Sequence, residues 1–150
     1  MFPGLIASFI LVALCVVIHS MGISRILRFT RARLPSPETH PWVSVFFVVQ
    51  IAWSLILLHM LQIVIWAGYF TLQGCLPDFE TSLYFSGVTY STLGFGDVVL
   101  PQRWRLLGAA EGLTGILMCG LSTGLFVATA HRILAARFQF DDESPPTKSV

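Results

Sequence analysis

The sequence predicts an all-α membrane protein in which a short re-entrant helix and a glycine-containing loop sit between the second and third of three transmembrane helices. Three observations carry this. Hydrophobic residues make up 55% of the 150 residues and charged residues 11%, against about 25% charged in an ordinary soluble domain. Three apolar runs each reach the roughly 20 residues needed to cross the hydrocarbon core of a bilayer. Between the last two runs the chain reads PDFETSLYFSGVTYSTLGFGD, a helical pattern too short to cross, closed by two glycines and an acid.

The first run covers Phe2 to Leu27. A cleaved leader needs a basic residue before its apolar core and a small-residue cleavage site after it. Here no Lys or Arg precedes Arg25, and the run ends in Arg25-Ile26-Leu27-Arg28. It reads as a retained helix, residues 1–30. Residues 31–41 read as a basic linker, in which Arg31 and Arg33 continue the cluster begun by Arg25 and Arg28, opposed only by Glu38. The positive-inside bias puts this linker in the cytoplasm of a cell (inner) membrane protein, with the N-terminus outside and the C-terminus inside. Arg103 and Arg105 fall on the external side as exceptions. Arg25, Arg28 and Arg31 step by three as in a voltage sensor, but no partner acids accompany them. They are expected to anchor the helix and, with Arg33, to meet anionic lipid headgroups.

The second run, Trp42 to Phe70, opens a unit over residues 42–138 that closes with the third run, Leu106 to Phe138. Pro77-Asp78 followed by Glu80 is a helix-start signal, with Asp78 as N-cap and Glu80 near the positive end of the helix dipole. The helix it starts, Phe79 to about Tyr90, dips into the membrane and stops. Ser91 to Asp97 must then return, and non-helical backbone at membrane depth is tolerated only when buried in protein or lining water. Gly94 and Gly96 free the backbone to turn the carbonyls of Thr92, Leu93, Gly94 and Phe95 toward one axis, with the Leu93 and Phe95 side chains turned away from it. The carbonyl end of the short helix favours a cation. One chain supplies one wall, so copies assemble around a closed axis.

Ser91-Thr92-Leu93-Gly94-Phe95-Gly96-Asp97 resembles the selectivity-filter signature of the potassium-channel pore-domain family, usually TVGYGD, and in its GFG form looks most like the tandem-pore channels. The likeness runs from about Val45 to Ile133, and the chain looks like a small bacterial-type subunit of that family. The resemblance implies a homotetramer whose ion-binding filter is Thr92, Leu93, Gly94, Phe95 and Gly96. K+ is held at Thr92, Leu93, Gly94 and Phe95 as the permeant ion, with no cofactor. It implies filter support from Asp97, a gating hinge at Gly115 with a second glycine at Gly120, and a cavity lined by Ile116, Cys119, Thr123 and Val127. Those four also follow the i, i+3, i+4 steps of one helix face.

Phe95 in place of Tyr and Leu93 in place of Val are departures from the usual filter, and they keep a weakly selective Na+/K+ channel open beside a K+ channel. A non-conducting membrane subunit or assembly factor is the alternative of another class. No convergent His, Cys or acid cluster suggests an enzyme, and nothing suggests nucleic acid. Glu111, the acid inside the third run, is expected to brace the filter from behind through Ser86 or Thr89, with a pH-sensing role as the alternative. Gly108 with Gly112 and Gly120 with Gly124 suit close helix packing. The four histidines are scattered without ligand spacing. Trp42, Trp66, Trp104 and Tyr69 read as interfacial anchors. Cys75 is expected on the external side, where a disulfide between subunits is conceivable. Residues 139–150 read as a disordered cytoplasmic tail.

Overall fold

The structure is a computed structural model that describes residues 2–33 and 40–143. Most of the expected linker and the end of the tail lie outside the described residues. Those described form four α-helices: α1, Phe2–Arg33; α2, Pro41–Leu72; α3, Phe79–Tyr90; and α4, Arg105–Glu143. Three are long and apolar enough to cross a membrane, over Gly4–Arg33, Trp42–Leu72 and Gln102–Ile133. Two boundaries differ from the sequence reading. Arg31 and Arg33 are the last turn of α1 rather than linker, and α4 continues through residues 139–143. No proline or glycine interrupts either extension, so helix propagation continues past the point where the apolar run ends.

The helix ends follow local chemistry. Pro41 occupies the first turn of α2, where its missing N–H costs no hydrogen bond. Gly74, at φ 60°, turns the chain out of α2, and the Cys75 N–H returns to the Phe70 carbonyl. Asp78 then caps α3, its carboxylate accepting from the Thr81 N–H at 2.7 Å. The hydrogen bonds from Thr81 hold the Asp78 carboxyl below its ordinary value. A 3₁₀ turn, Gln102–Trp104, leads into α4.

α3 is wedged between α2 and α4, and α1 packs chiefly against α4 and also against α2. The larger apolar cluster joins all four helices through Leu11 and Cys15 of α1, Trp66 and Phe70 of α2, Phe85 and Tyr90 of α3, and Leu107 and Met118 of α4. Phe70 meets Phe85 edge-on at 5.4 Å. A second cluster, around Phe47, Ile51 and Leu55, ties α2 to Phe29 of α1 and Phe126 of α4. Trp66 is fully buried in the first cluster, which corrects the expectation of an interfacial anchor. Its indole lies one helical turn before Phe70, on the face of α2 that meets α3 rather than lipid. Cys75 is also buried, packed within its own chain, and burial pushes its thiol up. A thiol so enclosed is not presented for a disulfide to a neighbouring copy.

Candidate functional site

The segment Ser91–Asp97 is exposed along its whole length, although it hangs between the buried Tyr90 and Leu100. It grows directly out of the last turn of α3. The Ser91 N–H bonds the Gly87 carbonyl, the Thr92 N–H that of Thr89, and the Gly94 N–H that of Val88 at 3.2 Å. Its backbone alternates in hand: φ is 64° at Thr92, 55° at Gly94 and 77° at Gly96, whereas Leu93 and Phe95 stay on the negative side. Alternation of left-handed with ordinary residues places successive N–H groups on one side of the chain and carbonyls on the other. Thr92 adopts this conformation without the freedom of glycine, a strained state that persists only where its surroundings impose it.

Asp97 closes the segment. Its carboxylate accepts a 2.7 Å hydrogen bond from the Tyr84 hydroxyl, so the far end of the loop is tied back to α3. That bond holds the Asp97 carboxyl below its ordinary value and raises the Tyr84 phenol. Tyr84 is a supporting residue the sequence reading missed. Leu93 and Phe95 are 62% and 66% exposed, so the side chains turned out from the loop are largely unpacked among the described residues.

Gly115 sits against the other end of the loop. A β-carbon there would lie 1.9 Å from the Tyr90 carbonyl oxygen, so the absence of a side chain lets the C-terminus of α3 seat on α4. Gly108 and Gly112 face Phe85 and the Thr89 carbonyl along the same seam, whereas a β-carbon at Gly120 or Gly124 would meet nothing within 4 Å among the described residues. Packing of small residues within the subunit therefore accounts for the first pair. Ile116, Cys119, Thr123 and Val127 are all exposed on α4.

Glu111 is fully buried beside Ser86. The Ser86 hydroxyl lies next to the carboxyl, as expected, although no fully aligned hydrogen bond joins the two among the described residues. α4 thus brings the Glu111 carboxyl up against Ser86 of α3.

Behind Tyr90, residues from four elements close into a ring the sequence reading did not assemble. Gln62 Nε2 donates to His19 Nδ1 at 2.7 Å, and the Tyr90 hydroxyl donates to Gln62 Oε1 at 2.9 Å. His59 Nδ1 lies 3.1 Å from the Tyr90 hydroxyl, His59 Nε2 3.0 Å from Ser122 Oγ, and Ser122 Oγ 3.1 Å from His19 Nε2. His19, Gln62, Tyr90 and Ser122 are all buried. The available signal was three polar residues, His19, His59 and Gln62, inside apolar runs where unpaired polar groups are costly.

A family model described as "Ion channel" matches residues 45–132, more than half of the chain, from early in α2 to near the end of the apolar part of α4. The chain belongs to that ion-channel family. It is a membrane protein, and its family points to transport rather than catalysis. Comparison with curated proteins and with solved structures returns no match. The matched residues of this ion channel include the alternating loop, Gly115 and Glu111, and they leave out α1.

Proposed function

We propose that the protein is a homotetrameric channel in the cell (inner) membrane that conducts K+ down its gradient, with α3 as a re-entrant pore helix and 92–96 as the selectivity filter. The alternating hand of Thr92, Gly94 and Gly96 carries this reading. A strip of carbonyls on one side of a chain, repeated around an axis, replaces the water shell of a cation, and adjacent sites let ions displace one another. The exposure of Leu93 and Phe95 supports assembly, since their natural packing partners are neighbouring copies. The basic end of α1 supports a cytoplasmic α1–α2 connection, an external N-terminus and contact of Arg25, Arg28, Arg31 and Arg33 with anionic lipid. Asp97, held by Tyr84, steadies the outer end of the filter. On α4, Ile116, Cys119, Thr123 and Val127 line the cavity below it, and Gly115 and Gly120 are the places where that helix would bend.

A second reading, a pore weakly selective between Na+ and K+, rests on Phe95, whose ring lacks the hydroxyl that would brace the filter by about 1 kcal/mol. Flux of K+, Rb+ and Na+ into liposomes holding the purified protein separates the two. K+ and Rb+ uptake well above Na+ is expected, and equal uptake of all three establishes the weakly selective pore. Loss of flux in Gly94→Ala ties conduction to the backbone of the loop. Protein that passes no cation at all defeats both.

A further inference from the structure

The Tyr90 ring has only one consistent set of proton positions once the Gln62 amide is oriented as the structure has it. The single phenolic proton goes to Gln62 Oε1, so His59 Nδ1 must donate to the Tyr90 oxygen. A neutral His59 then accepts at Nε2, which requires the Ser122 hydroxyl to donate there. The Ser122 oxygen in turn accepts from His19 Nε2–H, and His19 Nδ1 accepts from Gln62. Each group donates once and accepts once, all in one rotational sense. Such closed chains polarise in concert and are demanding: a half-satisfied buried network is worse than none.

The ring meets the filter support at one residue. Tyr90 is the last residue of α3, its carbonyl is seated on Gly115, and the N–H groups of Thr92 and Gly94 hang on the turn it completes. Among the described residues, α1 enters the ring through His19. We propose that His19 is a positioning residue for ion selection, through which the first helix, outside the matched pore segment, fixes Tyr90 and hence the entry to the filter. This rests on the conduction reading above. It gives α1 a task that neither lipid shielding nor anchoring supplies: a bridge that accepts from Gln62 and donates to Ser122.

The test compares His19→Leu, which removes the bridge, with His19→Gln, whose amide accepts through one atom and donates through the other as the imidazole does. Ser24→Ala, on α1 but outside the ring, serves as control; among the described residues its hydroxyl bonds the Ser20 carbonyl. Two readouts are taken on purified full-length protein: the K+ to Na+ flux ratio in liposomes, and the rise in unfolding temperature when K+ replaces Na+ in detergent. His19→Leu is expected to lose about tenfold in flux ratio, the equivalent of a restraint of about 1.4 kcal/mol, and most of the K+-specific stabilisation. His19→Gln and Ser24→Ala are expected to keep both. Unchanged values in His19→Leu overturn the proposal, as does equal loss in the leucine and glutamine variants, which would mark a purely steric site. Should the leucine variant fail to assemble, Ser122→Ala removes the same bridge by one atom and is read against the same two outcomes. Wild-type protein that is stabilised by K+ but passes none defeats conduction alone, and the stabilisation readout still decides the role of His19. Wild-type protein with neither property overturns both.

Discussion

Thr92 and Gly94 carry the same left-handed backbone with different means, Gly94 by lacking a side chain and Thr92 by being held. An added methyl at Gly94 costs about 1–2 kcal/mol in this conformation, repeated in every copy of the proposed ring. Gly94→Ala is therefore expected to rotate the peptide plane and abolish K+ and Rb+ flux. Unaltered flux in that variant would disconnect the loop from conduction. Asp97 offers a reading in pH. Its folded carboxyl titrates below the ordinary 3.8 because the Tyr84 hydroxyl favours the charged form. The support is thus complete above that ordinary value and is lost as pH falls through the lowered one. In Tyr84→Phe the titration should move back up toward the ordinary value, so flux should fail at a higher pH on the acid side than in wild type. Coincident acid limbs for the two proteins would show that the bond does not govern the outer end of the loop.

α3 was readable in the sequence almost to the residue, because Asp78 announces its start and its apolar pattern stops at Tyr90. The long helices were readable as spans but not as partners, since a helix apolar on every side does not reveal which face meets a neighbour. This is why α1 could be foreseen while its docking on α4 could not. The ring was hidden for a related reason: its bonds join residues up to 103 positions apart, and no local spacing encodes them. Glycines in α4 looked alike in sequence, yet their surroundings separate them. Gly115 has the Tyr90 carbonyl against it, whereas Gly120 has nothing within 4 Å of where a β-carbon would sit among the described residues. Gly115→Ala should therefore cost about 1–3 kcal/mol or more through overlap with backbone that cannot swing away, while Gly120→Ala should be neutral or gain about 0.5–1 kcal/mol within the subunit from helix propensity. Unfolding temperatures of the two purified variants check this. Equal behaviour would mean that the α3–α4 seam gives way more easily than its contacts imply.

At the scale of the whole molecule the chain is unfinished. Seven consecutive residues, Ser91 to Asp97, are exposed at the end of a helix buried against two others, and Leu93 and Phe95 among them are large and apolar. In a proposed ring of four 16.6 kDa chains those side chains pack between copies, and the carbonyl strips face one another across a bound ion. Ion and assembly are then linked: a cation that binds only the closed ring stabilises it by RT ln(1 + [K+]/Kd), about 2.7 kcal/mol at a hundred times the dissociation constant. Native mass spectrometry of protein in mild detergent should accordingly show four chains. The temperature at which that species falls apart should rise with K+ or Rb+ and stay flat with choline. Gly94→Ala should flatten the K+ response as well, because the strip that holds the ion is broken in every copy at once. A tetramer whose dissociation temperature ignores the choice of cation would place the force of assembly in helix packing alone, and would take the loop out of the account of how the ring is held.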